Sequence, residues 1–208
     1  MHEFISTIFY TFMRAIPLAL VALVIGVIIL VMVTLKYRRE GRKFPQSQAV
    51  ALILLLCYLG GLIAITFMNR FDGVRMGVQL YPLLAFWEAW NSFTLQVWLN
   101  PLLNIAMFIP FGVLLPLAVK TFRRWYWMFV AGTGTSLVIE IVQYILGRGQ
   151  ADVDDLICNT LGAMLGYCLY GLVISLVRRR WKLAIAHALL PLLSGATLAG
   201  VFLVYQLQ

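Results

Sequence analysis

Residues 156–177 read LICNTLGAMLGYCLYGLVISLV, and Arg178-Arg179-Arg180-Trp181-Lys182 follow at once. The run contains no charged residue and is long enough to cross a hydrocarbon core, which needs about 20 apolar residues in a helix. A basic cluster directly after such a run marks its cytoplasmic end. The pattern recurs outward from here. Trp125–Leu146 precedes it, and Leu102–Val119 ends in Lys120, Arg123 and Arg124. Ala49–Met68 forms another run, and Ile16–Leu35 ends in Lys36, Arg38, Arg39, Arg42 and Lys43. Leu183–Tyr205 closes the series. The reading is an all-α fold, a polytopic transmembrane helical bundle of about six spanning helices. With no internal repeat and no low-complexity stretch, residues 1–208 read as a single membrane domain. The first run lacks a small-residue cleavage site and is expected to be a retained helix.

Composition agrees. Of the 208 residues, 62% are hydrophobic and 12% charged, and mean hydropathy is +0.93. Soluble domains hold about 45–50% apolar and about 25% charged residues, so the bilayer must solvate most of this surface. The net charge of +8 does not point to nucleic acid. The basic residues sit in short clusters between apolar runs, not along a helix interleaved with aromatics. Twelve of the sixteen Lys and Arg fall in the loops after the first, third and fifth runs. The other side holds Arg14, Arg70, Arg75 and Arg148. The positive-inside rule then places the rich loops in the cytoplasm and both termini outside.

Cys57, Cys158 and Cys168 lie in or beside apolar runs, without a CxxC or Cys/His grouping, and read as small packing residues. His2 and His187 are isolated. No metal and no cofactor is expected.

Between the second and third runs lies the longest loop, Arg70–Asn100, on the outer side in this orientation. It carries Tyr81, Phe86, Trp87, Trp90, Phe93 and Trp98. Amphipathic rings at this density suit the headgroup layer, either as an interfacial helix that anchors the fold or as a lid over a lipid-facing site.

The polar residues of the fourth run are spaced to share a face. Gly132, Ser136, Glu140 and Gln143 follow steps of three and four. Glu140 is the one acidic residue inside a span, about 9 Å from its outer end at 1.5 Å per residue. A carboxylate at that depth must face protein or water. The outer turn that follows reads Gly147-Arg148-Gly149-Gln150-Ala151-Asp152-Val153-Asp154-Asp155, and Asn159 lies one turn beyond Asp155. Asp152 or Asp154 can cap the next helix, where unpaired backbone donors and the dipole favour negative charge. Gly162 and Gly166 form a GxxxG face suited to close helix approach. In the third run, Asn104 lies at a similar depth to Glu140 and precedes a mid-span proline, Pro110. Each residue has a structural explanation as a cap, a bridge or a packing surface. Together, Asn104, Ser136, Glu140, Gln143, Arg148, Asp152, Asp155 and Asn159 form a candidate functional cluster.

These pieces, in this order, resemble the VanZ-like family of small membrane proteins. The likeness rests on Asn104-Ile105-Ala106-Met107-Phe108-Ile109-Pro110-Phe111-Gly112, on Ser136 with Glu140 and Gln143, on Arg148 with Asp152, Asp154 and Asp155, and on Asn159-Thr160-Leu161-Gly162 with Gly166. It covers about Gln79–Gly171. Before the third run the family tends to read Asn-Leu-Ile-Pro-Phe, whereas this chain reads Gln79-Leu80-Tyr81-Pro82-Leu83, so no role of that asparagine carries over.

The resemblance implies a multi-pass protein of the bacterial cytoplasmic membrane, connected with low-level resistance to the lipoglycopeptide teicoplanin. On that basis the partners are membrane lipids and a lipid-linked cell-wall precursor or the lipoglycopeptide itself, and no nucleic acid. The first functional reading is a binding protein that holds an acyl tail between apolar helix faces, with Arg148 pairing an anionic headgroup. The alternative is an intramembrane enzyme on a lipid-linked substrate, with Glu140 as general base and Asp152 or Asp155 holding a divalent metal. A nucleophile–histidine pair is absent from the sequence pattern. A third reading is transport of an anionic lipid, with Glu140 as a proton-coupled site.

Overall fold

The computed structural model describes residues 20–21, 24–41, 45–68, 77–92, 94–147, 150–187 and 189. Those residues are helical nearly throughout. Helix α1 covers 24–39, α2 Gln46–Met68, α3 Leu84–Ser92, α4 Leu95–Ala118, α5 Trp125–Ile145, α6 Val153–Val177 and α7 181–187. A 3-10 turn, Lys120–Arg123, links α4 to α5. Strands β1 (Val78–Gln79) and β2 (Ala151–Asp152) are two residues each and pair with one another.

The all-α architecture expected from the hydropathy pattern holds. Among the described residues four helices are long and apolar enough to cross a membrane, over Gln46–Thr66, Val97–Ala118, Trp125–Ile145 and Val153–Val177. The expected spans Ile16–Leu35 and Leu183–Tyr205 both reach outside the described residues. Three helix starts move, the first being α2, which begins at Gln46 instead of Ala49. Helix α4 begins at Leu95 instead of Leu102, because Pro101 removes only the donor that Val97 would have used and the helix carries on through it. Helix α6 begins at Val153 instead of Leu156, because Asp152 caps it there.

The chain forms two compact units that interleave in sequence. The first comprises Met1–Val78, Leu117–Lys120 and Val138–Ala151. In it α1 meets α2 at Gly26, where an added Cβ would lie 2.7 Å from Leu56 Cδ1. Ala51, Leu55, Leu62, Ala64 and Ile139 are buried there. The Ala151 N–H donates to Gly77 O at 3.1 Å.

The second unit comprises Gln79–Pro116, Thr121–Leu137 and Asp152–Gln208. Its centre is the crossing of α4 and α6. A Cβ on Gly162 would stand 2.1 Å from Ile105 O, one on Gly166 2.1 Å from Ile109 O, and one on Gly112 2.0 Å from Ala163 O. No side chain fits at any of the three positions. The glycines of α6 therefore lie directly on the backbone of α4, which is what the GxxxG spacing predicts. Inside a bilayer, lipid tails are as apolar as leucine, so helix association rests on such close packing and on interhelical hydrogen bonds. Phe108, Met128, Cys158 and Ala163 of this unit are fully enclosed, and Phe108 meets Phe111 edge to face at 5.8 Å.

Candidate functional site

The second unit gathers polar side chains around the first three turns of α6. Asp152 is the N-cap: its Oδ1 accepts from the Asp154 backbone N–H at 2.8 Å. That bond satisfies one of the donors every helix start leaves unpaired. Asp154 is then released for a different task. Its carboxylate, 2% exposed, accepts the backbone N–H of Leu83 through Oδ1 and that of Ala85 through Oδ2, the latter at 2.7 Å. These are the first donors of α3. Asp154 thus ties the start of the aromatic helix α3 to the start of α6. Leu83 sits at φ +65°, a left-handed conformation that costs a residue with a Cβ roughly 1–2 kcal/mol. The carboxylate bonds help hold it there.

One turn along α6, Asp155 accepts a hydrogen bond from the side-chain amide of Asn104 on α4. One turn further, the Asn159 amide nitrogen donates to Ser136 Oγ on α5 at 3.0 Å. Ser136 is fully buried and Asn159 is 4% exposed. Asn159 Oδ1 has no hydrogen-bond partner. Beside this pair the Thr133 and Thr160 hydroxyls stand 3.3 Å apart, and Thr160 also donates to Leu156 O. Three helices therefore meet through side-chain amides, a hydroxyl and a carboxylate on the stretch of α6 that begins at Asp152.

In the first unit, Glu140 and Gln143 are buried on α5, one helical turn apart. The Gln143 amide nitrogen donates to the Thr66 carbonyl of α2 at 3.1 Å, and its Oε1 has no hydrogen-bond partner. Of the candidate cluster, then, Asn104 meets Asp155, Ser136 meets Asn159, Asp152 caps α6 and Gln143 binds α2. Arg148 lies outside the described residues. No group of three or more His, Cys, Asp or Glu among the described residues is placed to hold a metal ion.

Sequence reasoning missed the role of Asp154, which it weighed only as a cap for its own helix. It also missed Thr133. That residue lies three before Ser136 and continues the stripe of Ser136, Glu140 and Gln143, so the same spacing could have found it.

A family model described as VanZ/LLP1 matches residues 20–175, well beyond the Gln79–Gly171 region in which the motifs lie. The chain is 42% identical over 69 residues to "Protein VanZ" of Enterococcus faecium, a match covering 33% of this chain and 42% of that protein. The matched stretch thus spans less than half the length of that curated relative. No solved structure matches.

Proposed function

This chain belongs to the VanZ/LLP1 family, and from that premise we propose that it binds a lipidic or lipid-linked ligand from the outer leaflet, conferring low-level resistance to teicoplanin. In this reading the protein crosses the bacterial cytoplasmic membrane several times, about six in all. The Lys120–Arg124 and Arg178–Lys182 loops face the cytoplasm and both termini face outward. Helix α3 with Trp87 and Trp90 then lies at the outer interface, at the mouth of the polar cluster.

The observation that carries the proposal is the Asn159 amide. It is buried within the second unit, one edge is engaged by Ser136, and its carbonyl oxygen has no hydrogen-bond partner. An unsatisfied buried acceptor costs about 1–3 kcal/mol, and in a bilayer no bulk water offsets it. A ligand bearing a hydroxyl, amide or ammonium donor would supply the missing bond while its acyl chain runs along the apolar helix faces. Arg148, in the adjoining turn of the sequence, is suited to pair an anionic headgroup. Asp152 accepts a hydrogen bond at the start of α6 and Asp155 one from Asn104, which supports binding ahead of the catalytic alternative.

The experiment is a titration of the detergent-purified chain with a fluorescent acylated lipoglycopeptide and with the same core lacking its acyl chain. Saturable binding of the acylated form, at least about tenfold tighter than the other, is expected. Equal binding of both, or of neither, contradicts the reading.

A further inference from the structure

We propose a second binding site, for the headgroup of an anionic phospholipid, at the end of the second unit opposite the polar cluster. The register in which Ile105 meets Gly162 and Ile109 meets Gly166, carried along both helices within the unit, sets Pro116 level with Val173. The residues that follow each helix therefore emerge at the same end. After α4 come Arg123 and Arg124, and after α6 come Arg178, Arg179, Arg180 and Lys182, all exposed. The acidic residues of this unit are Glu88, Asp152, Asp154 and Asp155. All belong to α3 or the start of α6, so the basic end contains none.

The backbone carries the second observation. Helix α6 ends in a Schellman turn: the Arg179 N–H donates to Leu176 O at 2.9 Å and the Arg180 N–H to Ser175 O at 2.8 Å. That turn requires a left-handed residue, and glycine is the usual occupant. Here the occupant is Arg179, at φ +54°. A cation near a helix C-terminus already favours the dipole, which accounts for Arg178 and Arg180. It does not account for placing a side chain at the one position where glycine costs least. The strained residue adds a third adjacent guanidinium to the fan, the kind of local cost that accompanies a binding role.

The flanking residues match a lipid surface. Trp125, Trp127 and Trp181 are exposed, at 62%, 43% and 64%. Indole rings favour the headgroup layer, where one edge is apolar and the other wet. Arg123 is fixed through its Nε on Pro116 O at 3.1 Å, and Arg124 through Nη1 on Tyr126 OH at 2.7 Å. Holding these arginines by a single donor keeps the rest of each planar fork available for phosphate oxygens. Phosphate recognition with an indole belt identifies the occupant as a phospholipid of the surrounding leaflet. The site is independent of the ligand proposed above, and its failure would leave that reading untouched.

The test uses the full chain in mild detergent, with retained lipid measured by native mass spectrometry after adding phosphatidylglycerol or phosphatidylcholine. The parent should retain phosphatidylglycerol preferentially. Replacing Arg178, Arg179 and Arg180 by Gln should weaken that retention roughly a hundredfold, given the usual contribution of each basic residue at an anionic surface. Arg179→Gly guards against misfolding. It removes one cation while supplying the residue the turn prefers, so it should raise the melting temperature and still lower phosphatidylglycerol retention. Equal retention of the two lipids by the parent overturns the site. So does unchanged retention in the triple variant, or in Arg179→Gly.

Discussion

The Asn159 side-chain amide donates to Ser136 Oγ at 3.0 Å, with both residues buried between α6 and α5. In a membrane interior such a bond is one of the few directional forces available. A double-mutant cycle of Ser136→Ala and Asn159→Leu, read by reversible unfolding in bicelles, should return a coupling of about 0.6–1.7 kcal/mol, the range for interhelical bonds in bilayers. Additive effects would mean that the two residues stabilise the fold separately.

The Asp154 carboxylate holds the first donors of α3 from across the unit. Asp154→Ala should cost about 0.5–2 kcal/mol, as the loss of a helix cap does. It should also raise amide exchange selectively across Leu84–Ser92. Exchange rising equally in α4 and α6 would show that Asp154 supports the whole unit and not one helix. Leu83→Gly is expected to offset part of the loss, because glycine adopts the φ of +65° without strain.

At the crossing of α4 and α6, Gly166→Ala would force a methyl group to within 2.1 Å of Ile109 O. The helices would have to part, at about 1–3 kcal/mol or more. Gly134 in α5 is the control, since nothing lies within 4 Å of a Cβ added there. Gly134→Ala should be neutral or stabilise by up to about 1 kcal/mol through helix propensity. The melting temperature should fall for Gly166→Ala and not for Gly134→Ala, and equal losses would contradict the crossing geometry.

Much of this was legible in the chain. Four apolar runs gave helices at nearly the positions read from hydropathy, since a span is set by the thickness of the hydrocarbon core and signalled by composition alone. Gly162 and Gly166 were readable as a contact face because spacing fixes which residues share a side. Their partner, the backbone from Ile105 to Gly112, was not, because a helix–helix register depends on both surfaces at once. Asn104 was legible as a polar residue within the third run, but its partner, Asp155 on α6, needed the register too. Asp154 illustrates the remaining gap. A helix start read in sequence offers local donors to a carboxylate, and nothing in the sequence shows that a distant helix, beginning at a left-handed leucine, supplies better ones.

Orientation can be tested without a fold. With Cys57, Cys158 and Cys168 replaced, a cysteine at position 149 should react with an impermeant maleimide on intact cells, and one at position 41 should react only after lysis. The reverse pattern would place the basic loops outside and remove the basis for the outer-leaflet assignment.

The central claim is that the polar cluster serves a ligand and not only the fold. The most direct measurement is the affinity of the purified chain for an acylated lipoglycopeptide, set beside folded yield, for the parent, Glu140→Gln and Arg148→Ala. Glu140→Gln keeps the shape of the side chain and deletes its charge. The account predicts that the parent binds and that each variant binds at least about tenfold more weakly, a loss of about 1.4 kcal/mol, at unchanged folded yield. Parent-like affinity in both variants, or weaker binding only in step with lost folded protein, would contradict it.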